Sequence, residues 1–244
     1  MIYTFDSRVR FSETDEFGNL TIPALINYLQ DCSTFQSENL GVGLSVMKEQ
    51  HQAWMIASWQ IVIDRLPRCT EKITIGTMAI ESDAIMARRN FFIRDEAGEM
   101  IVKANTYWTI VDTQAGRAIR IEGPFIDAYG TETPIEMECA PRKIRVPAEG
   151  GIPMEPYTVT EERIDANHHV NNGQYVQIAL SLLSKGLQEN LTAERVRQIR
   201  AEYKKAAVLG DVIHPVIFRN EDTLLAALKD EKGFPYCTVE LKID

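Results

Sequence analysis

Five of the ten prolines in this chain, Pro134, Pro141, Pro147, Pro153 and Pro156, crowd into one short stretch with Gly150-Gly151 among them. Proline fixes φ and has no amide hydrogen to give a β-ladder, so this stretch reads as a connector and not as a central strand. It divides the chain into a first half, 1–133, a linker, 134–156, and a second half, 157–244. A chain of 244 residues allows either one large domain or two small units that share a core.

The halves repeat one order of elements. The first opens with an extended run, Tyr3 to Phe11, then polar residues, then a helix. Thr21 is placed to cap that helix and Pro23 stands near its first position, where a missing N–H costs nothing. Ile22, Leu25, Ile26, Leu29 and Cys32 recur at helical spacing and should face a core; Gly41 and Gly43 end the pattern. Trp54 to Ile63, Glu71 to Glu81, Ala87 to Arg94 and Ile101 to Asp112 then read as strands, rich in Ile, Val, Thr and aromatics. The second half runs likewise: Tyr157 to Thr160 extended, a polar segment, a helix from Gly173 to Leu187, then strands Val196 to Val208, Val212 to Asn220, Leu224 to Lys229 and Pro235 to Ile243. Asp15 and Asp165 both stand just before a helix, with Asn19-Leu20-Thr21 set against His169-Val170-Asn171. One helix followed by antiparallel strands predicts an α+β unit whose sheet wraps its helix. Two such units could join edge to edge and so cover exposed strands.

Composition excludes several functions. No run of eighteen apolar residues is present, so a membrane span is not expected. Met1 to Ser7 lacks a basic region followed by an apolar one, which predicts a cytoplasmic chain without a signal peptide. Cys32, Cys69, Cys139 and Cys237 lie far apart, which suggests reduced thiols and neither a disulfide framework nor a metal site. The net charge of -9 argues against nucleic-acid binding. A local basic cluster is nevertheless present: Arg195, Arg197, Arg200, Lys204 and Lys205 surround one acid, Glu202. It reads either as a solvated, salt-bridged face or as a docking site for an acidic partner. Strand alternation would put Arg195, Arg197 and Lys205 on one face and Arg200 and Lys204 on the other. No Gly-rich phosphate loop, dinucleotide fingerprint or Gly-x-Ser-x-Gly elbow occurs, so neither a nucleotide cofactor nor a serine nucleophile is expected.

Chemistry concentrates in Asp165-Ala166-Asn167-His168-His169-Val170-Asn171-Asn172, which holds two of the four histidines. In an extended segment Asp165, Asn167 and His169 would all point one way, with Asn171 and Asn172 at the helix start as caps. Helix-start amides can stabilise an oxyanion, and a carboxylate beside a histidine can activate water or attack directly. An Asx-rich capped loop with exposed histidines is the plain alternative.

The run from Asp165 to Tyr175 resembles the Asp-x-Asn-x-His-Val-Asn-Asn-x-x-Tyr signature of plant and bacterial acyl-(acyl carrier protein) thioesterases. Ile199 to Lys205 is similar to the strand after the helix in that family. The resemblance implies a tandem (double) hotdog fold, two antiparallel sheets each wrapping one central helix. It implies hydrolysis of long-chain acyl-(acyl carrier protein) with no cofactor and no metal, and acylated carrier protein as the partner, with room for a homodimer. By resemblance Asp165, Asn167 and His169 are catalytic. The first half, with Phe17 and Asn19 in place of Asn167 and His169, should supply the acyl pocket from among Leu25, Leu29, Met47, Trp54, Met55 and Trp59. One departure is evident. Where the family has Glu-Cys, the chain has Ala206-Ala207, and Glu202 would lie about 13 Å from Ala206 on a regular strand. A hotdog hydratase or dehydratase uses a similar segment, but with a proline and a glycine where His168 and Ile164 stand. A non-catalytic acyl-binding or carrier-binding protein is the third reading.

Overall fold

In the computed structural model, which describes residues 1–122, 124–188 and 191–244, the first half contains β1 (Tyr3–Arg8), helix α1 (Ile22–Asn39), the short helix α2 (Leu44–Glu49), β2 (Gln52–Ile63), β3 (Lys72–Ser82), β4 (Ala87–Arg94), β5 (Met100–Asp112), β6 (Arg117–Ile119) and one turn of helix, α3 (Pro124–Asp127). After the connector come β7 (Ile152–Pro153), β8 (Tyr157–Thr158), helix α4 (Asn172–Leu187), β9 (Val196–Tyr203), β10 (Val212–Asn220), β11 (Thr223–Lys229) and β12 (Pro235–Ile243). Thr21 Oγ1 accepts from Ala24 N, and Asn171 Oδ1 accepts from Gly173 N at 2.8 Å, so both long helices begin on side-chain caps.

The strands form one sheet in the order β1-β3-β4-β5-β2-β9-β12-β11-β10-β7, with β6 on β5 and β8 on β10. The halves meet at the antiparallel pair β2–β9, Ser58 opposite Glu202 and Val62 opposite Gln198, so the interior edge of each sheet is covered by the other. Both helices lie on one face and share a core: Leu25, Ile26, Leu29 and Cys32 of α1 pack with Val176, Ala179 and Leu183 of α4. Each of the Leu, Ile and Val side chains among them contributes on the order of 1.5–3 kcal/mol when fully buried. The helices approach closely at Gly173, where an added Cβ would lie 3.5 Å from Ile26 Cγ2.

The proline-rich connector straps across the opposite face. Gln60 Nε2 donates to Glu138 O at 2.8 Å and Gln60 Oε1 accepts from Ala140 N at 2.9 Å. Asn90 Oδ1 takes Ile135 N at 3.0 Å and Glu202 Oε2 takes Ile144 N at 3.0 Å. Ile144 packs against Phe218, Leu225 and Ala227, and β7 extends the edge at β10. Each proline removes one main-chain donor, and buried side chains of the sheet accept from three of the remaining amides, Ile135, Ala140 and Ile144.

Strand β9 stops at Tyr203 instead of running to Val208. Lys204 N still bonds Tyr236 O at 2.9 Å, but Ala207 then turns inward: its N–H donates to Tyr175 Oη at 2.8 Å and its carbonyl accepts from Val170 N at 2.9 Å. The segment leaves the ladder to close over the loop that precedes α4.

Candidate active site

That loop is a tight turn and not the extended segment that period-two spacing implied. Asp165 N donates to His169 O and His168 N to Asp165 O, at 2.9 and 3.0 Å, while Ile164 bridges Val170. His168 sits in the left-handed region at φ 62°. The first half builds the same turn 150 positions earlier, with Gly18 at φ 80° and Thr14 bridged to Leu20. The two differ in how the aspartate is used. Asp15 Oδ1 accepts two amides, Phe17 N and Asn19 N; Asp165 Oδ1 accepts one, Asn167 N at 2.8 Å. Less of the Asp165 carboxylate is consumed by its own backbone.

Asp165, Asn167 and His169 line one cavity of about 760 Å³ together with Asn172 at the start of α4, within the usual range for small-molecule sites. His169 Nδ1 is buried without a hydrogen-bond partner among the described residues, so the remainder of the ring is what meets the cavity. Tyr203 Oη donates to Asn172 O at 3.0 Å and its ring packs edge-on against Tyr175, centroids 5.8 Å apart. Burial pushes both phenols above their ordinary range and keeps them neutral; Tyr203 donates to the helix start, and Tyr175 Oη accepts from Ala207 N. Ala206 also lines the cavity.

The far wall comes from the first half. Met47, Trp54 and Met55 line it, joined by Trp108 and Tyr129, which sequence had not singled out. Leu25 and Leu29 do not: both are 0% exposed within the core between the helices and the sheet. Trp59 is also core, its ring 5.3 Å from that of Phe91. Helical or strand spacing marks inward-facing residues, but it does not separate a packed interior from a cavity wall.

Glu202 faces away from this site. It lies on the connector side of β9, 3% exposed, with Oε2 on Ile144 N and Oε1 facing Lys204 Nζ at 2.5 Å and Arg142 Nη1 at 3.8 Å. The Lys204 contact has the distance of an ion pair without the alignment of a hydrogen bond. Since β9 ends before Ala206, the strand geometry that would have put Glu202 and Ala206 on one side does not apply.

The basic cluster is dispersed and partnered. Arg195 and Arg197 bond Asp244 at the end of β12, and Arg200 Nη1 pairs with Glu240 at 2.5 Å while Nη2 holds Pro141 O. Lys205 reaches Asp230 at 3.4 Å. Only Lys204 and Lys205 of the five line the cavity. No group of three or more His, Cys, Asp or Glu side chains suited to a metal occurs among the described residues, and no described helix is long and apolar enough to cross a membrane.

Comparison with known proteins follows the same division. The family model for the acyl-ACP thioesterase N-terminal domain matches residues 2–129, and that for the C-terminal domain matches residues 150–233. The chloroplastic oleoyl-acyl carrier protein thioesterase 2 of Arabidopsis thaliana is 23% identical over 84% of this chain and 59% of its own length. The chloroplastic oleoyl-acyl carrier protein thioesterase of Coriandrum sativum is 22% identical over 97% of this chain and 68% of its own length. The chain therefore spans little more than half to two thirds of these relatives. An acyl-ACP thioesterase from Bacteroides thetaiotaomicron superposes with a TM-score of 0.87 at 23% identity, covering 100% of this chain and 98% of that one. The 12:0-ACP thioesterase from Umbellularia californica gives 0.85 at 15% identity, covering 100% and 97%. These likenesses bear out the α+β tandem hotdog fold, with its two sheets fused at β2–β9.

Proposed function

Because the chain belongs to the acyl-ACP thioesterase family, whose two domain models together match most of its length, we propose that it hydrolyses the thioester of long-chain acyl-(acyl carrier protein), releasing free fatty acid and the carrier thiol. The observation that carries this reading is a cavity with one reactive and one apolar wall. The turn bearing Asp165, Asn167 and His169 forms the first, and Met47, Trp54 and Trp108 of the other half form the second. The second half, 157–244, is the catalytic unit; the first, 1–133, holds the acyl chain; 134–156 ties them together.

In the proposed reaction the acyl chain lies against the apolar wall with its thioester carbonyl at the start of α4. Asp165 and His169 take a proton from water as it attacks the carbonyl carbon. The carbonyl oxygen gains charge beside the Asn167 amide and the positive end of α4. Collapse breaks the C–S bond, and the proton is returned to the departing thiolate. Positioned acid–base groups of this kind contribute about 10²–10⁴-fold each. Ala206 supplies no further base, so the aspartate and histidine bear the whole proton transfer. No cofactor is required, and the reading places the enzyme in the cytoplasm with acylated carrier protein as its partner.

The test is release of free thiol from purified long-chain acyl-carrier protein, followed with a thiol reagent. Turnover without added metal or nucleotide is the expected result. Acyl-carrier protein left intact under conditions in which the protein is folded would refute the proposal.

A further inference from the structure

Arg89 is a buried cation that the proposed hydrolysis does not use. It lies on β4 with the same parity as Phe91 and Ile93, so strand alternation turns all three toward the helices. Phe91 and Ile93 are 0% exposed and Arg89 is 8% exposed. Arg89 also lines the 760 Å³ cavity, near Ser33 and Ser37 of α1 and Tyr129.

Among the described residues every partner of this guanidinium is neutral. Nη1 donates to Gln36 Oε1 and, at 3.1 Å, to Thr77 Oγ1. The Tyr129 ring lies 4.8 Å from its carbon, face-on, and Tyr129 Oη is within 2.8 Å of Ser37 Oγ. Gln36 and Tyr129 are each 2% exposed and Thr77 0%. Among the described residues no carboxylate forms an ion pair with Arg89. The neighbouring Arg88, of opposite parity, also borders the cavity but has its own carboxylate, Glu81 at 3.3 Å.

A buried cation without a counter-ion is costly, and a guanidinium offers five donors in a planar fork, of which two neutral bonds here use only one nitrogen. A hydrocarbon tail lying on it would exclude water and provide no compensating acceptor. An oxygen anion would supply both charge and bidentate geometry.

Resting on the thioesterase reading, we propose that the cavity selects acyl chains with an oxygen-bearing distal end, above all a terminal carboxylate, and that Arg89 is the specificity-determining residue that receives it. The substrate class is then the half-thioester of a dicarboxylic acid on carrier protein. The thioester lies at the Asp165 turn and the free carboxylate at Arg89. Gln36 and Thr77 act as positioning residues that hold the fork by one nitrogen and leave the rest of it for the ligand.

The test has two arms. In the first, wild-type protein hydrolyses a length series of carrier-bound chains ending in methyl or in carboxylate. At the length that spans the cavity, the carboxylate-ended chain should be favoured in kcat/KM by at least tenfold. Arg89→Met should reverse that order, and Arg89→Lys, which keeps the charge, should retain part of it. In the second arm, free dicarboxylic and monocarboxylic acids of matched length are added to the wild type, and its thermal midpoint is followed without any catalysis. The dicarboxylic acid should raise the midpoint more, and Arg89→Met, if folded, should lose that difference. Hydrolysis of methyl-ended chains at equal or better rates at every length, with equal midpoint shifts, would overturn the proposal while leaving the thioesterase reading intact. A dicarboxylate-specific midpoint shift in a protein that hydrolyses neither series would do the reverse.

Discussion

The main-chain N–H of Asp165 donates to the carbonyl of His169 at 2.9 Å, so the carboxylate and the imidazole of the proposed chemistry stand at the two ends of one closed turn. The same turn uses Asp165 Oδ1 as the acceptor for Asn167 N at 2.8 Å. Fold and function can therefore be separated by choice of substituent. Asp165→Asn retains an acceptor oxygen and should lose about 10²–10⁴-fold in turnover with a nearly unchanged melting temperature. Asp165→Ala should lose as much and, in addition, about 1 kcal/mol of stability. His169→Ala should match Asp165→Asn in turnover, and Asn167→Ala should lose less. Near-normal turnover in Asp165→Asn would place the chemistry elsewhere.

Gly18 and His168 occupy equivalent left-handed positions, at φ 80° and 62°. A side chain there costs about 1–2 kcal/mol, and an added Cβ at Gly18 meets nothing within 4 Å. Gly18→Ala should therefore destabilise through backbone strain alone, lowering the melting temperature by about 2–4 °C per kcal/mol in a chain of this size. His168→Gly should leave it level or raise it. A melting temperature unaffected by Gly18→Ala would show that the first turn relaxes to another conformation.

Glu202 is a buried structural acid tying the connector to β9. Glu202→Ala strands Ile144 N and removes the partner of Lys204, and should cost about 1–3 kcal/mol. Glu202→Gln keeps an acceptor and should cost less. Turnover per folded molecule should change less than threefold or so in both, against the far larger loss expected for Asp165→Asn. Comparable losses in Glu202→Gln and Asp165→Asn would return Glu202 to the reaction.

In the proposed reaction carrier docking falls to Lys204 and Lys205, the two members of the basic cluster that line the cavity. Each is paired with an acid, Glu202 and Asp230, as Arg197 is with Asp244, so position and not freedom from partners selects them. Reversing the charge at Lys205 should raise KM for carrier-borne substrate and have less effect on a small acyl thioester. The difference should shrink as salt rises, since exposed charge acts mainly on association. Equal effects on both substrates would mean that Lys205 serves the pocket instead.

Stability should fall on the alkaline side. Burial pushes the Cys32 thiol up from 9.0 to about 12, and it also raises Cys237 well above its ordinary value. The folded state keeps protons that the unfolded chain releases near pH 9, so stability is full below that pH and declines toward about 12. The denaturation midpoint should drop between about pH 8 and about pH 10.5, and drop less in Cys32→Ala. An unchanged midpoint across that range would contradict the burial of these thiols.

Local rules made much of this protein legible. Thr21 and Asn171 cap the helices as their side chains and positions require, because capping involves groups only two or three residues apart. Ala87–Arg94, Val212–Asn220 and Pro235–Ile243 form strands over the spans read from the sequence, and the halves repeat as the placing of Asp15 and Asp165 before each helix implied. The short pieces α2, β6, α3 and β7 were not legible, since two to six residues carry too little periodicity. What the tertiary structure alone decided depends on contacts between residues far apart in sequence. The join of β2 to β9, the connector bound by Gln60 and Glu202, and the release of β9 toward Tyr175 are of this kind. So is the division of apolar residues into Leu25 in the core and Met47 on the cavity wall. Parity on β4 could place Arg89 inward beside Phe91, but only the wrapping of the sheet around α1 shows that its partners are all neutral. An ion pair forms where packing brings two chain segments together, and nothing in the sequence local to Arg89 encodes which segment arrives.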